Sequence, residues 1–194
     1  MTFPTGTKNS MLDGQAITAA SLHSGFPGNT GTNELSGGTP SYARKSITMN
    51  AASGGSRLLN AGVVFDVDAT TVKWVGFWNS STFVACAPNG GATPKNFMSI
   101  ASSDLVYAAG HGYPDTQKIV FFDGTPPAPL VEGTTYFVRD STGDSFKVAA
   151  TSGGAAIDLT APSSFGCVVC AIAEDVYGGQ TTHNLTSTTF TVPD

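Results

Sequence analysis

The side chains able to do chemistry in this 194-residue chain are few: three histidines, three cysteines and 14 Asp plus Glu. His23, His111 and His183 are widely separated, and none stands in an H-E-x-x-H or H-x-H arrangement. A general base needs a second group within hydrogen-bond reach, and no spacing supplies one. Each histidine adjoins turn or polar residues, so all three read as loop imidazoles bonded to backbone. Gly110-His111-Gly112-Tyr113-Pro114 carries a further alternative, a loop tip touching a partner. Cys167-Val168-Val169-Cys170 has the C-x-x-C spacing but lies in a β-branched apolar run, not at a helix N-terminus that would lower a thiol pKa. With Cys86 the count is odd, which argues against a complete disulfide framework. A zinc site would need a fourth ligand. The expectation is three buried thiols acting as small hydrophobes in a reducing compartment, with no metal and no cofactor.

Asp66 and Asp68 fall on alternate positions of a strand and share a face, the one carboxylate pair with the placement a glycosidase needs. Such an enzyme also needs an apolar pocket that raises one pKa, so a solvated outer face is the plainer reading. No Gly-x-Ser-x-Gly elbow and no Walker or dinucleotide fingerprint occurs, and Asp13, Asp140 and Asp144 lack EF-hand spacing. No catalytic residue is expected. Trp74, Phe77 and Trp78 cluster on one strand as core or interface packing, with a sugar-stacking platform as the functional alternative.

The elements that would carry these groups are mostly strands. One helix is expected near Thr7–Asp13, with Thr7 as N-cap and Gly14 as stop. Leu22–Arg44 is turn-rich and reads as an ordered long loop anchored by Phe26, Leu35 and Tyr42. Val63, Phe65 and Val67 alternate with Val64, Asp66 and Asp68. Val72–Trp78 is apolar on nearly both sides and reads as a central strand, with Thr82–Ala87 as its hairpin partner across Asn79-Ser80-Ser81. Leu185–Val192 is a Thr-rich strand with Phe190 and Val192 toward the core.

Residues 101–164 have a different texture. Leu105–Ala109, Lys118–Phe122, Thr134–Arg139 and Ser145–Ala150 are four short strand candidates, and Ser141-Thr142-Gly143-Asp144 turns the last pair into a hairpin. Phe137, Phe146 and Val148 can share a face, each stabilising by about 1.5–3 kcal/mol when buried. That is enough for a mini-barrel or small sandwich. The fold class is therefore all-β: a β-sandwich or jelly-roll-like host domain (residues 1–100 plus 165–194) with one short N-terminal helix, and an inserted small β module (residues 101–164).

Composition narrows the function. Only 9 Lys plus Arg face 14 acidic residues, for a formal charge of −5, and charged residues total 12%. A nucleic-acid groove needs clustered cations, so no nucleic-acid partner is expected. No apolar run reaches the roughly 20 residues of a membrane-spanning helix. Met1–Gly14 lacks a basic stretch followed by an apolar one, so no signal peptide is expected.

Leu22-His23-Ser24-Gly25-Phe26-Pro27-Gly28, followed by Gly31-Thr32-Asn33-Glu34-Leu35-Ser36-Gly37-Gly38 and Tyr42-Ala43-Arg44-Lys45, resembles small virion proteins of tailed bacteriophages, the tail-fibre or minor tail type. In that family a short helix like Lys8–Asp13 precedes this loop and a strand like Val75–Trp78 follows it. The resemblance covers residues 7–90 and, more faintly, 171–192. The 101–164 segment departs from that pattern. Through Val131–Val138, Ser145–Val148 and Thr151–Asp158 it is similar to a small β module inserted in many phage tail and adhesion proteins. Together these imply a particle component that forms a homo-oligomer, a trimer by the rotational symmetry of fibres, and binds other virion proteins. Host surface glycan is a further candidate partner, and the virion the expected location. The loop side (residues 22–45) would dock on the particle and the module would project outward. His23, Glu34, Tyr42, Arg44, His111 and Tyr113 are the candidate partner contacts. The alternatives are a capsid decoration protein, a polysaccharide-acting enzyme and a sugar-binding module.

Overall fold

The computed structural model describes residues 3–191. In chain order its elements are α1 (Thr5–Gly14), β1 (Ala19–His23), β2 (Lys45–Ser46), β3 (Ser56–Leu58), β4 (Val63–Val67), β5 (Thr70–Val72), β6 (Trp74–Asn79), β7 (Thr82–Pro88), β8 (Lys95–Asn96), β9 (Met98–Ile100), β10 (Leu105–Tyr107), β11 (Lys118–Phe122), β12 (Tyr136–Arg139), β13 (Ser145–Ala149), β14 (Val168–Ala171), β15 (Asp175–Tyr177), β16 (Thr181–Leu185) and β17 (Thr189–Thr191). The fold is all-β with one short N-terminal helix and antiparallel pairing throughout. The helix starts after Pro4 with no side-chain cap, so Thr7 lies inside it.

The chain divides into two compact units, Met1–Ala87 with Asp175–Asp194, and Pro88–Glu174. In the first unit a four-stranded sheet runs in the order β2-β1-β6-β7, joined by three two-stranded ladders, β5–β15, β4–β16 and β3–β17. The core holds Ala20, Leu22, Phe65, Val67, Val72, Val75, Phe77 and Leu185. In β4, Phe65 and Val67 are buried while Val64 is exposed, as the alternation predicts. The apolar run Val72–Trp78 is split at Lys73: Val72 pairs with Asp175, while Trp74–Trp78 pairs along β1. Phe190 lies edge-on to Phe77 at 4.8 Å, and Val192 falls outside the described residues.

In the second unit seven ladder positions run β8-β14-β11-β12-β13-β10-β9. The two ends of this ladder are one stretch of chain, because only Phe97 separates β8 from β9. The sheet therefore closes on itself as a small barrel, which leaves no unpaired edge to guard. Val106, Ile119, Phe121, Tyr136, Val138, Phe146, Val148 and Val169 fill it, with Phe97 packed against them. The hairpin across residues 140–144 forms, with Val138 opposite Val148.

The barrel is wider than residues 101–164. β8 and β9 precede that segment, and β14 follows it. β14 holds Cys170 of the C-x-x-C run, with Cys167 just before it, and its Val168–Ala171 pairs with Phe122–Ile119 of β11. Boundaries at 100 and 165 would cut three strands out of the ladder, so the division falls at 87/88 and 174/175.

Candidate functional site

The densest polar construction lies on the face of β1 and β6 that looks away from the core of the first unit. Along β1, Ala20 and Leu22 join the core, so Ser21 and His23 point to the opposite face. The register sets Ser21 beside Gly76 and His23 beside Trp74. No strand is expected here from sequence, because Ala, Ser, Leu and His carry no β-branched signal.

Residues 24–34 return over this face. Ser24 N–H donates to the Asn33 carbonyl and Leu35 N–H to the Leu22 carbonyl, each at 3.0 Å. That brings the Thr32 carbonyl 2.7 Å from His23 Nδ1. A carbonyl only accepts, so Nδ1 carries the proton. Nε2 then accepts the Ser21 hydroxyl at 2.7 Å, and Ser21 Oγ accepts the Trp78 indole N–H at 2.7 Å. Each donor in this line has an acceptor, which a buried polar group requires. Burial holds the His23 pKa below its ordinary value, opposed in part by the Thr32 carbonyl and Glu34. Ser21 and His23 have the spacing of a nucleophile and its base. Both are 0% exposed, and the hydroxyl is engaged on both sides, so the line ties these groups down rather than presenting them.

The outer layer clamps Trp78 from above. The Arg44 guanidinium carbon stands 3.3 Å from the Trp78 ring centroid, a cation–π contact. Arg44 is held there by Glu34 through two parallel bonds, Nε to Oε1 at 2.9 Å and Nη2 to Oε2 at 2.7 Å. Phe83 packs edge-on to Trp78 at 4.9 Å, and Phe26 lies 4.9 Å from Trp74. Tyr42 Oη accepts the Leu22 N–H at 2.7 Å while its ring stacks on Phe65. Burial raises the Tyr42 phenol pKa strongly.

Of the six candidate contacts, the structure brings Glu34, Tyr42, Arg44 and His23 together and leaves His111 and Tyr113 in the other unit. Three need correction. His23 is wholly buried beneath the loop, and it sits on a strand rather than in a loop. His111 and Tyr113 are 5% and 7% exposed, packed on Phe146 inside the barrel. Tyr113 N–H donates to His111 Nδ1 at 2.9 Å, and burial raises the Tyr113 phenol to about 12. A third buried histidine, His183, meets the Tyr177 hydroxyl at 2.9 Å, with Asp175 at 3.6 Å. Burial lowers its pKa, and Asp175 opposes the shift.

The other sequence candidates are placed as follows. Asp66 pairs with Lys45 at 3.2 Å, and Asp68 accepts the Ala69 N–H at 2.8 Å. Cys167 and Cys170 are buried free thiols, their pKa values pushed up by burial to about 11 and 12, whereas Cys86 is half-buried. Among the described residues no group of three His, Cys, Asp or Glu side chains is placed to hold a metal ion. No helix of the described residues is long and apolar enough to cross a membrane. Sequence reading missed Ser21 and the polar role of Trp78. The available signal was the alternation of Ala20 and Leu22 with Ser21 and His23. No family model, curated protein or solved structure matches this chain.

Proposed function

We propose that the chain is a structural component of a tailed-bacteriophage particle, of tail-fibre or minor-tail type, which assembles by contacts with copies of itself and with other particle proteins. The observation that carries this reading is the loop of residues 22–45, where the resemblance lies and where the resembling residues have architectural jobs. His23 and Thr32 close the buried line, Glu34 and Arg44 clamp Trp78, and Tyr42 caps Leu22. Such residues build a rigid surface of defined shape, which is what a part repeated by symmetry needs. The docking face we assign is the outer side of this loop, with Glu34, Tyr42 and Arg44 as the reachable members of the candidate set. The barrel of residues 88–174 is the appended module.

The test is location. A small tag at an exposed loop of the full chain, detected by immunogold on purified particles, should label the tail or its fibres in a fixed copy number. Labelling distributed over the head would make the protein a decoration protein. Absence from particles made in infected cells would defeat both readings.

A further inference from the structure

We propose that His23 is the pin of an acid-released clasp, which holds residues 24–34 on the sheet at neutral pH and lets them lift when its ring takes a second proton. This stands independently of the proposed function.

The argument is one of hydrogen positions. In the neutral state the proton on His23 Nδ1 goes to the Thr32 carbonyl, leaving Nε2 to accept from Ser21. A second proton must sit on Nε2. It would then point at Ser21 Oγ, which already accepts the Trp78 indole N–H. The Ser21 hydroxyl hydrogen loses its acceptor in a place with 0% exposure, and the ring becomes a buried cation. An unpaired buried donor and a buried charge are both costly. The site is closely packed: a Cβ added at Gly76 would lie 2.5 Å from both Nε2 and Oγ. The chain relaxes most readily where His23 bonds to something movable, the Thr32 carbonyl in the loop. The two backbone bonds that close this loop, from Ser24 and Leu35, are the ones to open with it.

The groups facing His23 from each packed element leave this balance intact. From the loop and the segment after it come the Thr32 carbonyl and then Glu34, which favour the cation against the larger cost of burial, and Arg44, which opposes it. Glu34 and Arg44 are bonded to each other at 2.7 Å and act in opposite directions. β6 contributes Gly76 and the Trp78 indole, and β7 the Phe83 ring at 6.3 Å. Tyr42 is engaged by Leu22, and Lys73 gives its backbone N–H to the His23 carbonyl.

The test is hydrogen exchange of the full chain between pH 8 and pH 5, with intrinsic rates divided out, together with NMR of the histidine rings and the Trp78 indole. The opening constant at the Ser24 and Leu35 amides should be flat above about pH 6.5. Below it should rise by up to tenfold per pH unit, the slope of one proton. The Trp78 indole N–H resonance should move with the same midpoint as the His23 ring. In His23→Gln, which cannot titrate, the slope should vanish. The proposal fails if the amides show no pH-dependent opening, if the opening follows His183 instead, or if the slope persists in His23→Gln. Should that variant not fold, the midpoints of His23, Trp78 and the two amides in the unaltered chain decide alone. A His23 ring that titrates while the loop stays closed overturns the clasp.

Discussion

A methyl group at position 76 would sit 2.5 Å from His23 Nε2 and from Ser21 Oγ, well inside van der Waals contact. Neither atom can give way without breaking a bond in the buried line. Gly76→Ala should therefore destabilise the first unit by about 1–3 kcal/mol, the ordinary cost of overpacking. Urea unfolding followed by tryptophan fluorescence measures it, because both tryptophans of the chain, Trp74 and Trp78, lie on β6. The thiols make a second prediction at this scale. Burial lifts Cys167 to about 11 and Cys170 to about 12, so at pH 8 both are neutral as well as enclosed. Since the thiolate is the reacting species, iodoacetamide at pH 8 should leave both unmodified in the native chain and alkylate both in urea. Peptide mass spectrometry reads the result, and fast native labelling of either would contradict the burial of Cys167 and Cys170.

At the scale of elements, several strand segments with clean alternation form close to where they are expected, whereas the expected strand Leu185–Val192 is broken after Leu185 and resumes only at Thr189–Thr191. β11 spans Lys118–Phe122, β13 Ser145–Ala149, and the hairpin between β12 and β13 closes over the predicted turn. Two kinds of element were not legible. β1 has no strand propensity of its own and is held in place by β6, five register pairs long. β8 and β9 are two and three residues, too short to show a period, and become strands only because β14 and β10 flank them. Once the ladder closes, Phe146 is at its centre with 0% exposure and aromatic contacts to His111 and Tyr113. Phe146→Ala should cost about 3–5 kcal/mol. The expected signature is loss of amide protection along β12 and β13 at denaturant concentrations the unaltered barrel withstands, and full retention would mean that the barrel core is wrongly assigned.

For the whole molecule, acid acts with opposite sign on the two units. His23 and His183 belong to the first, and burial lowers both pKa values. The unfolded chain then binds more protons than the folded one as pH falls below about 6.5, so their stabilisation is complete above that value and is lost on acidification. In the second unit Asp123 is raised by burial and by Glu132. There the folded form takes up the proton first, which favours folding as pH falls toward that carboxyl's range. Urea midpoints at pH 7.5 and 5.5 should accordingly drop for tryptophan fluorescence and hold or rise for amide protection in β11–β13. A fall of equal size in both would contradict these placements. An all-β chain in two textures, with a short helix ahead of an ordered glycine-rich loop, was determined by residue order alone. Alternation, turn residues and low charge are local properties that any contiguous stretch displays. The closure of the barrel, the extent of each unit and the line from Trp78 through Ser21 and His23 to Thr32 were decided only in the folded structure. The buried line joins Trp78 to Ser21, the barrel pairs Val168 with Asn96, and the first unit pairs Thr191 with Ser56, and short strands and buried hydrogen bonds acquire meaning only from the neighbours that folding supplies.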